Sequence, residues 1–377
     1  MDLPQPDQHA RHLADVVPSV LAAMGVAGFE ARIELPGDIR GACVLLVDGL
    51  GAELLDAYAA DAPVMAELRG RTLQAGFPST TVAGLAAVGT GCRSGEHGMV
   101  GMSFRLPDVG VINSLRWRPH PWGDDLRGAV PPEQVQPMRT TFEQAAAAGV
   151  AVSVVSGAEF AGSGLTRAVL RGGRYVGVQA LGDLAAAVQT AVSDGGFCYG
   201  YHGEVDLLGH LYGPGSPAWR MQLREVDRLV ESLIESLPSG GLLAVVADHG
   251  MVAVGDEVVD IDASAPLLDG VTAVGGEARA RHVYTMDGAR DAVLATWRET
   301  LGDLAWVVTR DEAIAAGWFG ASVRDEVAVR IGDVVAAARG TATIVRRTAE
   351  PLESSLVGHH GSLTSAEQSI PLLLAYG

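Results

Sequence analysis

The sequence predicts an α/β fold, a mostly parallel sheet with helices on both faces. Three observations carry that expectation. Short apolar runs of the kind seen in buried parallel strands recur along the chain. Helical stretches separate them, which implies right-handed crossovers. Several runs end in turns bearing Asp, His and Gly, at the sheet edge where open α/β sheets bind ligands.

Taken in order, the first element is an amphipathic helix over 11–24, with Val16, Val17, Val20, Leu21 and Met24 at helical spacing and Gly25 as its stop. His9 and His12 precede its apolar face and read as solvated. Strands are predicted at Cys43–Val47, Val150–Val155, Phe197–Tyr201, Leu242–Ala247 and Ile370–Tyr376. Helices are predicted at Glu53–Arg69, Phe142–Ala148 and Pro217–Ser236. From about 255 to 356 the pattern changes to short strands around a helix near Ala289–Leu301, then a strand at Ala305–Val308 and a helix at Asp311–Ala316. We read this stretch as a smaller cap region inserted into a single domain spanning 1–377.

Composition narrows the function classes. With 48% hydrophobic and 19% charged residues the chain has ample material for a core and does not read as disordered. The excess of 45 acidic over 27 basic residues, a net charge of −18, argues against nucleic-acid binding through a basic patch. All the basic residues are arginine, so a lysine Schiff base and a P-loop lysine are excluded. Cys43, Cys92 and Cys198 lie far apart, without metal-ligand spacing. Met1–Arg11 lacks the apolar core of a secretory signal, and the longest uncharged run, Thr72–Cys92, is too polar to span a membrane. The expectation is a cytoplasmic enzyme acting on a small molecule, with no membrane partner and an open oligomeric state.

The chemistry-bearing residues follow the strands. Asp48-Gly49, Asp206 with His210 four residues on, and Asp248-His249-Gly250 all stand just past apolar runs, and Gly358-His359-His360-Gly361 adds a glycine-flanked histidine pair. Carboxylates and imidazoles without thiolates suit zinc first, then manganese or iron. Six such ligands in two sets of three leave open positions on two ions. The segment Phe77-Pro-Ser-Thr-Thr81 precedes a small-residue helix, so a hydroxyl among Ser79, Thr80 and Thr81 sits at a helix amino terminus, where backbone N–H groups favour an alkoxide and a phosphate.

These motifs, together with Thr90-Gly91 and His97-Gly98, resemble the alkaline phosphatase superfamily, and within it the nucleotide pyrophosphatase/phosphodiesterase family. They span about 310 residues in the family's order. The resemblance implies an alkaline-phosphatase-like core and two zinc ions, with Mn2+ or Fe as alternatives. One ion would be held by Asp206, His210 and His360, the other by Asp48, Asp248 and His249. The second ion would also touch the nucleophile, Thr81, with Thr80 as runner-up. The implied reaction is hydrolysis of phosphodiester or nucleotide pyrophosphate bonds through a phosphothreonine intermediate. Its rivals are a phosphonate hydrolase, a phosphomonoesterase, a phosphosugar mutase, or an inactive metal-binding homologue. The chain departs from the family pattern where phosphodiesterases carry a phosphate-contacting Asn: Met102 stands there. The single Asn of the chain, Asn113, either replaces it from a shifted loop or is a turn residue. Arg279, Arg281 and His282, in the inserted stretch, read as surface salt-bridge formers or as phosphate contacts.

Overall fold

The computed structural model describes residues 3–68 and 70–377. Met1 and Asp2 of the amino-terminal stretch, and Arg69 at the end of the second predicted helix, lie outside the described residues.

Seven strands form the central sheet, in the spatial order Arg71–Gln74, Ser369–Tyr376, Gly241–Val246, Gly41–Val47, Phe197–His202, Val152–Gly157, Arg174–Val178. The last five are mutually parallel. Ser369–Tyr376 runs antiparallel to both of its neighbours. Every residue of Gly41–Val47 and Gly241–Val246 is buried, as strands covered on both faces must be. The five predicted strands are present within one or two residues at their starts. The edge strands Arg71–Gln74 and Arg174–Val178 were not anticipated, being short and each opening on an arginine.

The helices differ from expectation in two places. The predicted 53–69 helix is broken into Ala52–Ala57, a single turn at Ala59–Asp61 and Pro63–Glu67. Pro63 has no N–H to give the preceding turn and disfavours helical backbone at Ala62, so it starts a new helix instead. The first helix, Val16–Ala23, is preceded by a 3-10 turn at Leu13–Asp15. His12 is not solvated. It is buried, and its Nδ1 accepts the Ala14 N–H at 2.9 Å, capping that turn, whereas His9 is exposed.

Within 255–356, Val271–Glu277, Ala280–Thr285, Val334–Ala338 and Ala305–Thr309 form a four-stranded antiparallel sheet. Helix Arg290–Leu301 lays Val293, Trp297 and Leu301 against it in a second apolar cluster with Val274, Val283 and Val307. Arg279, Arg281 and His282 are not surface residues: all three are essentially fully buried. Arg279 pairs with Glu367 through Nε and Nη2, both at 2.7 Å. Glu367 in turn accepts the Ser362 N–H at 2.9 Å, and its carbonyl accepts the Gly250 N–H at 2.9 Å. One ion pair therefore ties the second sheet to two of the loops that carry the site.

Candidate active site

Three adjacent central strands end on one edge, and that edge collects the chemistry. Gly41–Val47 delivers Asp48, Gly241–Val246 delivers Asp248 and His249, and Phe197–His202 leads into helix Glu204–Tyr212, which bears Asp206 in its first turn and His210 in its last. Gly49 makes the close approach possible. Its φ is +74°, and a Cβ there would lie 3.0 Å from the Asp206 side chain. The loop after strand Gly358–His359 brings in His360.

The side chains converge. Asp206 Oδ2 lies 3.3 Å from His210 Nε2, and Asp206 Oδ1 lies 3.7 Å from His360 Nε2. The two imidazole Nε2 atoms are 3.2 Å apart. On the other side, His249 Nε2 lies 3.3 Å from Asp48 Oδ1 and 3.7 Å from Asp248 Oδ2. The His249 and His360 rings stack at 3.5 Å and join the two halves. Asp206, His210 and His360 form one group with metal-ligand spacing. Asp48, His249 and, again, Asp206 form the other, so Asp206 lies between the two halves. Asp248 falls outside that tightest grouping. It is fully buried, its Oδ1 accepts the N–H groups of Gly49 and His249, and its Oδ2 points at no donor.

The donor chemistry fits a metal centre. Each imidazole places Nδ1 against a backbone carbonyl: His210 on Gly358 at 2.7 Å, His249 on Gly250 at 2.9 Å, His360 on Ser79 at 2.8 Å. With Nδ1 donating, every Nε2 is left with its lone pair toward the cluster. Asp48 Oδ1, Asp206 Oδ1 and Asp248 Oδ2 are buried without a partner, a costly arrangement unless a cation receives them. The protonation pattern tells the same story. Burial alone would raise the Asp206 carboxyl, but the charges of His210, His360 and His249 hold it well below the usual range. Burial and the neighbouring Asp48 push Asp248 well above it. Burial alone would lower His249, yet Asp248 and Asp48 push it up to about 10. Left to themselves the carboxylates recruit protons, and a divalent ion would supply that positive charge instead.

Thr81 opens helix Thr81–Thr90, with its Oγ1 3.3 Å from His249 Nε2. Thr80, the preceding cap residue, is buried and lies beside the Glu277 side chain rather than the cluster. The geometry thus separates the two threonines that the sequence left adjacent. His359 lies in the strand paired with Val252, and burial with the nearby charges of His210 and Arg281 pushes it down to about 3. Asn113 is buried at the end of strand Gly110–Asn113. Its Oδ1 accepts the Arg116 N–H at 2.9 Å, which makes it a turn former, and its side chain bonds to none of the convergent residues.

Two participants were missed. Tyr201 donates its hydroxyl to Asp48 Oδ2 at 2.5 Å and fixes that carboxylate; strand alternation marks its position but not its partner. Glu277 accepts the Met102 N–H on Oε2 at 3.1 Å, leaves Oε1 unpartnered, and is pushed up to about 7 by burial. It therefore stands behind Met102, the position at which the sequence resemblance leads one to expect an Asn.

Residues 42–363 match the family described as type I phosphodiesterase / nucleotide pyrophosphatase. The chain belongs to this family. Members are metal-dependent, in keeping with the Asp/His groups of this phosphodiesterase-family chain. A stretch of 66 residues is 42% identical to human ectonucleotide pyrophosphatase/phosphodiesterase family member 7, covering 16% of this chain and 14% of that protein. Among solved structures, murine ectonucleotide pyrophosphatase/phosphodiesterase 5, an inactive form in complex with AMP, superposes with a TM-score of 0.67 at 17% identity, covering 89% of this chain and 88% of that one. Phosphonoacetate hydrolase from Sinorhizobium meliloti 1021, in complex with phosphonoformate, gives 0.64 at 20% identity, covering 89% of each chain. At these identities the two structures speak for a shared fold.

Proposed function

We propose that this chain hydrolyses phosphodiester or nucleotide pyrophosphate bonds, with Thr81 as nucleophile and a phosphothreonine intermediate. The observation that carries the reading is the Thr81 hydroxyl, at the amino end of its helix and 3.3 Å from His249 Nε2, facing the carboxylate–imidazole cluster. Asp206, His210 and His360 would hold one divalent ion, and Asp48, Asp248 and His249 the other, with Thr81 as a further ligand; zinc suits the donors best, with manganese or iron as alternatives. When bound, such ions neutralise the phosphoryl oxygens and polarise them as Lewis acids.

The residues of the chain do the rest. Thr81 Oγ1 gives up its proton and bonds to phosphorus while the leaving alkoxide or phosphate departs on the opposite side and takes up a proton, and water then cleaves the Oγ1–P bond and returns a proton to the hydroxyl. The free N–H groups of the first helical turn favour the anionic phosphoryl group. Tyr201 and the three carbonyls under the imidazoles hold the ligands in one orientation, so that little reorganisation accompanies reaction. The AMP in the murine relative's structure supports a nucleotide-sized substrate.

The test is a pair of variants assayed on bis-p-nitrophenyl phosphate with zinc supplied. Thr81→Ala abolishes turnover while fold and metal content persist. Thr80→Ala retains most of the activity, since the Thr80 side chain caps no helix N–H and lies beside Glu277. An active Thr81→Ala enzyme beside an inactive Thr80→Ala enzyme would move the nucleophile to Thr80, and full turnover after exhaustive chelation would overturn the mechanism.

A further inference from the structure

The turn that follows Asn113 carries a strained residue. Trp117 has φ of +56°, in the left-handed region that bulky side chains avoid. Its indole is fully buried, and Nε1 donates to the Val130 carbonyl at 2.8 Å. Pinned there, Trp117 leaves its two neighbours, Arg116 and Arg118, turned outward and exposed. Neither forms an ion pair with another described residue, in a chain where acidic groups outnumber arginines 45 to 27.

Arg116 and Arg118 line one cavity together with Asn113, His120, Glu350 and Glu353. The His120 side chain is only 4% exposed; its Nε2 meets Glu350 Oε1 at 2.8 Å, and its Nδ1 has no partner. The Glu350 charge is already answered, because Arg281 grips it at 3.1 and 2.9 Å. Despite burial, Arg281 and His120 hold its carboxyl down to about 2. That leaves two free guanidinium groups and an unpartnered imidazole nitrogen against one carboxylate, Glu353. The cavity is also tied to the catalytic cluster. Beside Asn113, Ser114 donates its N–H to the Met102 carbonyl at 2.8 Å, and the Met102 N–H donates to Glu277 Oε2 at 3.1 Å, where Glu277 packs against Gly361 next to His360. Past Glu353 the chain runs on to Val357, whose N–H donates to the His210 carbonyl at 2.8 Å, and then to His360.

We propose that this cavity is a distal phosphate subsite, which makes phosphodiesters carrying a second phosphate, away from the scissile one, the preferred substrates. Planar guanidinium groups suit such a group because they bind phosphate oxygens in pairs. The proposal deepens the diesterase reading above and rests on it.

The test compares thymidylyl-thymidine with and without a 5′-phosphate, using the full chain with zinc supplied. Wild type is expected to favour the phosphorylated dinucleotide in kcat/KM by about tenfold or more, and an Arg116→Ala/Arg118→Ala variant to bring that ratio to within about threefold of unity. An unchanged ratio in the double variant, or no preference in wild type, overturns the subsite. Calorimetric binding of the same two dinucleotides to Thr81→Ala protein separates the two failures. If neither dinucleotide is hydrolysed, the diesterase reading falls, while a binding preference lost in the arginine variant upholds the subsite and its absence rejects it.

Discussion

Glu277 shows how much one buried side chain can report. An acid pushed from its ordinary 4.5 to about 7 keeps its proton longer in the folded chain than in the unfolded one. The folded state therefore loses stability as pH climbs through that window, and the loss is complete above about 7. Glu277→Gln keeps an acceptor for the Met102 N–H and removes the ionisation. On metal-free protein, the variant should gain on wild type between pH 4.5 and 7 by up to about 3 kcal/mol, followed by denaturant melts across that range. Parallel pH curves for the two proteins would refute the burial argument. Nothing local in Gly-Glu-Ala-Arg-Ala-Arg-His announces such a role. Alternating charges read as a solvated strand face, and only the covering of that strand by the Glu350 and Glu367 loops turns Arg279 and Arg281 into buried pairs. The convergent Asp and His residues were legible, because most of them follow an apolar run or sit beside a glycine.

At the scale of the element, helix Thr81–Thr90 owes its position to what it lacks. A Cβ on Gly84 would lie 2.4 Å from the Asp248 Cβ, and one on Gly89 would lie 1.8 Å from the Val169 carbonyl oxygen. Glycine normally costs a helix about 1 kcal/mol relative to alanine, so Gly84→Ala ought to stabilise an unconstrained helix. Here the methyl group must displace either the helix or Asp248. The expectation is lower stability together with a fall in kcat/KM of about tenfold or more, since a small misplacement of the proposed nucleophile, Thr81, is costly. A variant that melts higher than wild type and turns over normally would show that the helix has room to spare. The small-residue run made this helix legible in the sequence. The direction of Ser369–Tyr376 was not, because an apolar run has the same pattern whether its neighbours are parallel or antiparallel. The break at Pro63 is a local rule outweighed, in the sequence reading, by a long helical period.

For the molecule as a whole, the sheet gathers residues from 48 to 360 at one edge, so the site is assembled by contacts distant in sequence. The ion pair of Arg279 with Glu367 braces two of those loops from the second sheet. The seven residues expected at the centre meet there, while Asn113 belongs to the neighbouring cavity, and no helix among the described residues is long and apolar enough to cross a membrane.

The unpartnered carboxylate oxygens carry a further consequence: the cluster is a locally frustrated patch, held together against the interest of the fold. Asp248→Asn preserves the acceptor for Gly49 and His249 while removing a carboxyl that burial and the neighbouring Asp48 push well above its ordinary range. In chelated protein this loss of function should be a gain of stability, on the order of 1–3 kcal/mol. Added zinc should raise the melting temperature of wild type more than that of the variant, because only a native ligand set couples binding fully to folding. If chelated Asp248→Asn protein melts below wild type, the carboxylate is supporting the scaffold and the frustration lies elsewhere. Otherwise, random mutagenesis selected for heat resistance alone should erode this centre first, trading turnover for robustness at the positions that define the enzyme.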